Sequence, residues 1–119
     1  MKPLFTSVQR QRLLANGQRQ NQVRGTDKEI DFLPVVKLFT PDANCTWLLS
    51  EIDPADPDTA FGLCDLGCGC PELGYVSLSE LAAVRGRLGL PVESDLYFKA
   101  DKTLGAYAQL AHEHEHIVA

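Results

Sequence analysis

The residues with the most evident chemical capacity lie near the end of the chain. His112-Glu113-His114-Glu115-His116 contains the pattern H-E-x-x-H. On a helix, histidines four apart share a face and can grip zinc, while the glutamate between them can deprotonate the bound water. His112 and His116 are therefore candidate metal ligands of a zinc-dependent hydrolase, with Glu113 as its base. Only Ile117, Val118 and Ala119 follow. A segment in that position is expected to fray as a solvated polar tail rather than line a water-controlled cavity.

Sulfur is the second source of chemistry. Cys64, Cys68 and Cys70 form C-x3-C-x-C, and Cys45 precedes them on a neighbouring apolar run. Thiolates favour zinc, yet the paired C-x-x-C knuckles of a structural site are missing. A small thiol inside a strand pattern, as at Cys64, reads first as core filling. A cysteine nucleophile needs a base beside it, and all three histidines lie in the tail. The sequence thus implies no cofactor and no committed metal site.

Charge is the third source. The net charge of −5 conceals an asymmetry. Residues 1–25 carry Lys2, Arg10, Arg12, Arg19 and Arg24 with no acid, so this arm is +5 and the remainder −10. Arg10, Arg12, Arg19 and Arg24 could contact nucleic-acid phosphates, or the arm could lie along its own acidic body. Five dispersed charges make a small phosphate footprint, and Phe5 is the arm's only aromatic residue. The acids are densest at Glu51, Asp53, Asp56 and Asp58, interspersed with Pro54 and Pro57. Their spacing does not match a calcium-binding D-x-D-x-D-G loop, and the prolines limit wrapping round an ion. They read as a rigid acidic turn able to meet a basic partner.

The elements that must position these groups follow from periodicity and punctuation. Thr6 or Ser7 can cap a helix over 6–15 that Asn16-Gly17 should stop, with a Gln- and Arg-rich connector or exposed helical extension beyond. Alternating apolar runs predict strands over 32–40, 45–52 and 60–66, with Cys45, Trp47 and Leu49 sharing a face. A short fourth strand over 73–76 leads into Ser77-x-x-Glu80, a capping box for a helix buried through Leu81, Val84 and Leu88. A further strand is predicted over 96–100, and a last helix from Thr103 with Leu104, Tyr107, Ala108 and Ala111 on one face. The expected fold is α+β: an antiparallel meander of four or five strands with two or three helices on one face. The expected organisation is a basic helix and connector over 1–29, one domain over 30–111 and a polar tail over 112–119. At 119 residues the chain can bury a core. No apolar run spans a membrane, and MKPLFTSVQRQR lacks the apolar stretch of a signal peptide, so a cytoplasmic location with reduced cysteines is expected.

The blocks LLANG (13–17), EIDFLPVVKLFTPDANCTWLLSEIDPADPDTAFGLCDLG (29–67) and PELGYVSLSELAAVRGRLGLPVESDLYF (71–98) carry a resemblance. They resemble a family of small bacterial proteins classed as a domain of unknown function, found on plasmids, conjugative and integrative elements and phages. The resemblance runs from about Leu13 to Tyr107 and implies no catalytic or binding residue. It implies a cytosolic accessory protein of a mobile element. With the −10 body and the rigid turn from Asp53 to Asp58, the leading expectation is a non-catalytic protein that docks through its acidic surface on a host or element-encoded protein, such as a defence or DNA-processing factor. A DNA-associated module and a zinc hydrolase are the alternatives.

Overall fold

The computed structural model describes residues 3–119. Lys2, the fifth base of the arm, lies outside them. Helix α1 (Ser7–Val23) leads into strand β1 (Val36–Phe39), followed by β2 (Thr46–Ile52), β3 (Thr59–Asp65) and β4 (Glu72–Ser77). Helix α2 (Leu78–Ala83), the two-residue strand β5 (Glu93–Ser94) and helix α3 (Leu104–His114) complete the chain. The strands form one open antiparallel sheet in the order β4-β3-β2-β1-β5. The α+β class and the meander are as the sequence predicts.

The helices are divided between the two faces of the sheet rather than gathered on one. One core joins Leu13 of α1 and Leu78 and Leu81 of α2 to Leu38, Trp47, Leu49, Ile52 and Ala60. The other joins Leu48 and Leu63 to Leu104, Tyr107, Ala108 and Ala111 of α3. The cause is legible in Trp47-Leu48-Leu49. Three consecutive large apolar residues in a strand point alternately up and down, so both faces of β2 must be covered. A bulge at Ser50 then shifts the register between Leu49 and Glu51. The extra residue returns Ile52 to the face of Trp47 and Leu49 and sends Glu51 to the α3 face, opposite Phe61.

Helix α1 runs straight through Asn16-Gly17, the predicted stop. The last ladder bond of the β1 side is Val35 N to Leu49 O at 2.8 Å, and Pro34 has no N–H to extend it. The exposed edge of β2 beyond that point receives α1 instead. Asn16 Nδ2 donates to Ser50 O at 2.9 Å. Gly17 lies so close that a Cβ there would sit 1.8 Å from Ile52 O. Leu13, Gly17 and Gln20 form the buried stripe at helical spacing. Thr6 caps the helix in a full capping box with Gln9. Gln20 also clamps the connector, donating to Ile30 O at 2.7 Å and accepting from Ile30 N at 2.9 Å. The basic arm is thus a helix docked on the body.

Two further expectations change. Helix α2 stops at Ala83; Val84, its C-cap, still packs against the core, but Leu88 leaves the predicted stripe and is 80% exposed. The Asp42 carboxylate draws the chain away by accepting from Leu88 N (2.6 Å) and Leu90 N (3.3 Å). The strand predicted over 96–100 does not form; the short pairing nearby is Glu93–Ser94, which precedes that range. Asp95 turns the chain instead. Its carboxylate accepts from Tyr97 N and its carbonyl from Phe98 N. Leu96 and Tyr97 are consequently exposed, while Phe98 still packs against the α3 core.

Candidate functional site

Histidines 112 and 116 do not share a helical face. Helix α3 ends at His114, and Glu115 takes a left-handed conformation (φ 62°) that redirects the chain. His112 Nε2 contacts Pro71 O at 2.8 Å, whereas His116 Nδ1 contacts His114 O at 2.8 Å. The tail is also held rather than frayed, with Ile117 N donating to Asp65 Oδ2 at 3.0 Å. The sulfurs are similarly dispersed. Cys45 and Cys64 pack on the Trp47 core, and Cys68 and Cys70 are exposed. Burial pushes the Cys64 thiol up to about 11, which disfavours thiolate chemistry. Among the described residues, no three His, Cys, Asp or Glu side chains converge as metal ligands.

The arginines of α1 do not form one basic face. At about 100° per residue, Arg12 and Arg19 share a side and Arg10 points the opposite way. The Arg19 guanidinium lies over the Phe32 ring, 5.5 Å from its centroid. Arg24 Nη1 donates to Tyr75 OH at 3.1 Å, and Nη2 pairs with Glu51 Oε2 at 3.6 Å.

The acidic group separates into a turn and a buried carboxylate. In the turn, Asp53 Oδ1 accepts from Ala55 N at 2.9 Å. Asp56 Oδ2 accepts from Thr59 Oγ1 at 2.7 Å. Asp58 reaches the start of α2, accepting from Ser77 Oγ (2.7 Å), Ser79 N (2.9 Å) and Ser79 Oγ (3.0 Å). The bond from Ser77, with those from Ser79, holds the Asp58 carboxyl below the usual carboxylate range. All these donors are neutral, so they fix the carboxylates without cancelling charge. Among the described residues, no Lys or Arg pairs with Asp53, Asp56 or Asp58. Sequence reasoning found these residues but missed that Asp58 also caps α2.

Glu51 is the member that does not belong to that surface. The Ser50 bulge places it on the α3 face, only 6% exposed. It lines a cleft of about 400 Å³ with Gln20, Arg24, Glu29, Phe61 and Tyr75. Burial raises its carboxyl above the ordinary value, against the opposing pull of Gln20 and Arg24. A larger groove of about 630 Å³ lies at the other end of the same face, lined in part by Lys37, Phe39, Asp65, Asp95 and His116. Both Asp65 oxygens there are already taken, by Gly67 N and Ile117 N.

A family model described as protein of unknown function, DUF2958, matches residues 4–118. The chain belongs to the DUF2958 family. The match spans the docked helix, the whole sheet and α3, so this assembly is the family's unit in this chain. No curated protein and no solved structure matches the chain. No helix among the described residues is long and apolar enough to cross a membrane.

Proposed function

We propose that this DUF2958 protein is a non-catalytic binding protein that docks on a basic protein partner through its acidic surface. The partner is a host or element-encoded factor, and the setting is the cytoplasmic accessory machinery of a mobile genetic element, with counter-defence or DNA processing as the context. The observation that carries this reading is the turn Asp53–Asp58, whose three aspartates are pinned by neutral donors and unpaired with any described cation. A charge held in place before association costs little ordering entropy when a partner arrives. It also steers a basic partner during encounter. The docked arm supports the same direction, because Arg24 and Arg19 already engage the body.

The test is capture from a bacterial host lysate, followed by binding measurements on the partner identified. An Asp53→Asn/Asp56→Asn variant keeps the Asp58 cap of α2 intact. It should bind more weakly and show a shallower dependence of affinity on salt. Equal affinity and equal salt dependence for the two proteins would refute the reading.

A further inference from the structure

The register places Glu51, Phe61 and Tyr75 side by side on adjacent strands, in one row across the α3 face. The floor of the cleft above this row is aromatic. The Phe61 and Tyr75 rings are tilted at 60° with centroids 5.0 Å apart, and Tyr75 is 60% exposed. One end of the row is Glu51, more than nine-tenths buried. Its Oε1 meets Gln20 Nε2 only at 3.5 Å. Its Oε2 accepts no hydrogen bond from the described residues and has only the Arg24 guanidinium, 3.6 Å away. Such distances lie beyond good hydrogen-bond length, so a desolvated carboxylate faces the cleft with its acceptor capacity largely unused. The rim adds Glu29, and Asp53 lies close enough to act on the same carboxyl. The walls are firm. Gln20 clamps Ile30 from both its atoms, and Gly105 N donates to Asp31 Oδ1 at 2.9 Å.

We propose that this cleft is a receptor for one arginine side chain of a partner protein. The guanidinium would lie over the Tyr75 and Phe61 rings and donate to Glu51. A planar cation with donors in its plane suits an aromatic floor ending in a carboxylate better than a hydrated ammonium does. Arg24 marks the place, since its own guanidinium now bridges Tyr75 OH and Glu51 without a hydrogen bond to the latter. With its side chain 41% exposed, Arg24 is the resident occupant that an incoming arginine displaces. This inference rests on the reading of a basic protein partner and adds, apart from the Asp53–Asp58 turn, a separate pocket and the group it takes.

The experiment titrates the full chain with N-acetyl-arginine methylamide and, in parallel, the isosteric uncharged citrulline derivative, following backbone amide resonances. The arginine probe should shift the amides of Gln20, Glu51, Phe61 and Tyr75, and the citrulline probe should not. Tyr75→Ala removes an exposed ring and should weaken binding about tenfold or more, as should Glu51→Gln. Arg24→Ala should tighten binding, because it removes the competitor. Equal response to both probes, shifts scattered over other acidic surfaces, or weakened or unchanged binding by Arg24→Ala would each overturn the proposal. Salt-sensitive partner capture that survives Glu51→Gln and Tyr75→Ala would discard the pocket and leave the acidic-surface function standing.

Discussion

Replacing Gly17 by alanine sets two physical terms against each other and gives a sign that depends on the fold. Gly17 sits mid-helix, where alanine is preferred by about 0.8–1.0 kcal/mol. An isolated or merely solvated α1 would therefore gain stability. In the docked helix, the new Cβ would sit 1.8 Å from Ile52 O, 2.9 Å from Ile52 C and 3.2 Å from Pro54 Cδ. Ile52 O belongs to a strand held by β3, so it cannot retreat as a flexible side chain can. The helix must lift by more than an ångström, loosening Leu13 in the core and stretching the Asn16–Ser50 bond. Overpacking of this kind costs about 1–3 kcal/mol and the lost hydrogen bond about 1 kcal/mol. After the helix gain is deducted, Gly17→Ala should destabilise by about 1–3 kcal/mol. Urea unfolding followed by circular dichroism reads this as a lower midpoint with an unchanged slope. Gly74 on the open edge strand has nothing within 4 Å of an added Cβ, so Gly74→Ala is the matched control and should be close to neutral. A stabilised Gly17→Ala protein would refute the docking of α1 on β2 and, with it, the cleft that the end of α1 walls.

Two more outcomes follow from the titratable groups. Burial raises the Glu51 carboxyl in the folded protein, so the folded state favours the protonated form more than the unfolded chain does. Stability should then fall as pH rises from the ordinary glutamate range through the raised folded value, and Glu51→Gln should flatten that fall in pH-resolved denaturant melts. Timed alkylation with mass spectrometry should label exposed Cys68 and Cys70 first and Cys64 last, because burial both shields the Cys64 thiol and pushes it up to about 11.

The sequence alone determined the elements whose signals are local. Thr6 and Thr103 cap their helices because a hydroxyl three residues before a free N–H needs no distant partner. Leu104, Tyr107, Ala108 and Ala111 are the buried stripe of α3, as their spacing requires. The meander came from short connections between apolar runs, and the acidic turn from its proline and aspartate content. Only the tertiary structure decided what each signal was for. Asn16-Gly17 has the local chemistry of a helix stop, yet the free edge of β2 turns it into a docking contact. Asp42 draws the chain out of α2 through bonds from Leu88 N and Leu90 N, which form only when the chain is folded back on itself. Glu51 stands two residues from Asp53 in sequence, but the one-residue bulge at Ser50 inverts its side of the sheet. Because side chains alternate with a period of two, a single inserted residue moves Glu51 from the face of Trp47 and Leu49 to that of Phe61 and Tyr75, and no composition or spacing reveals it.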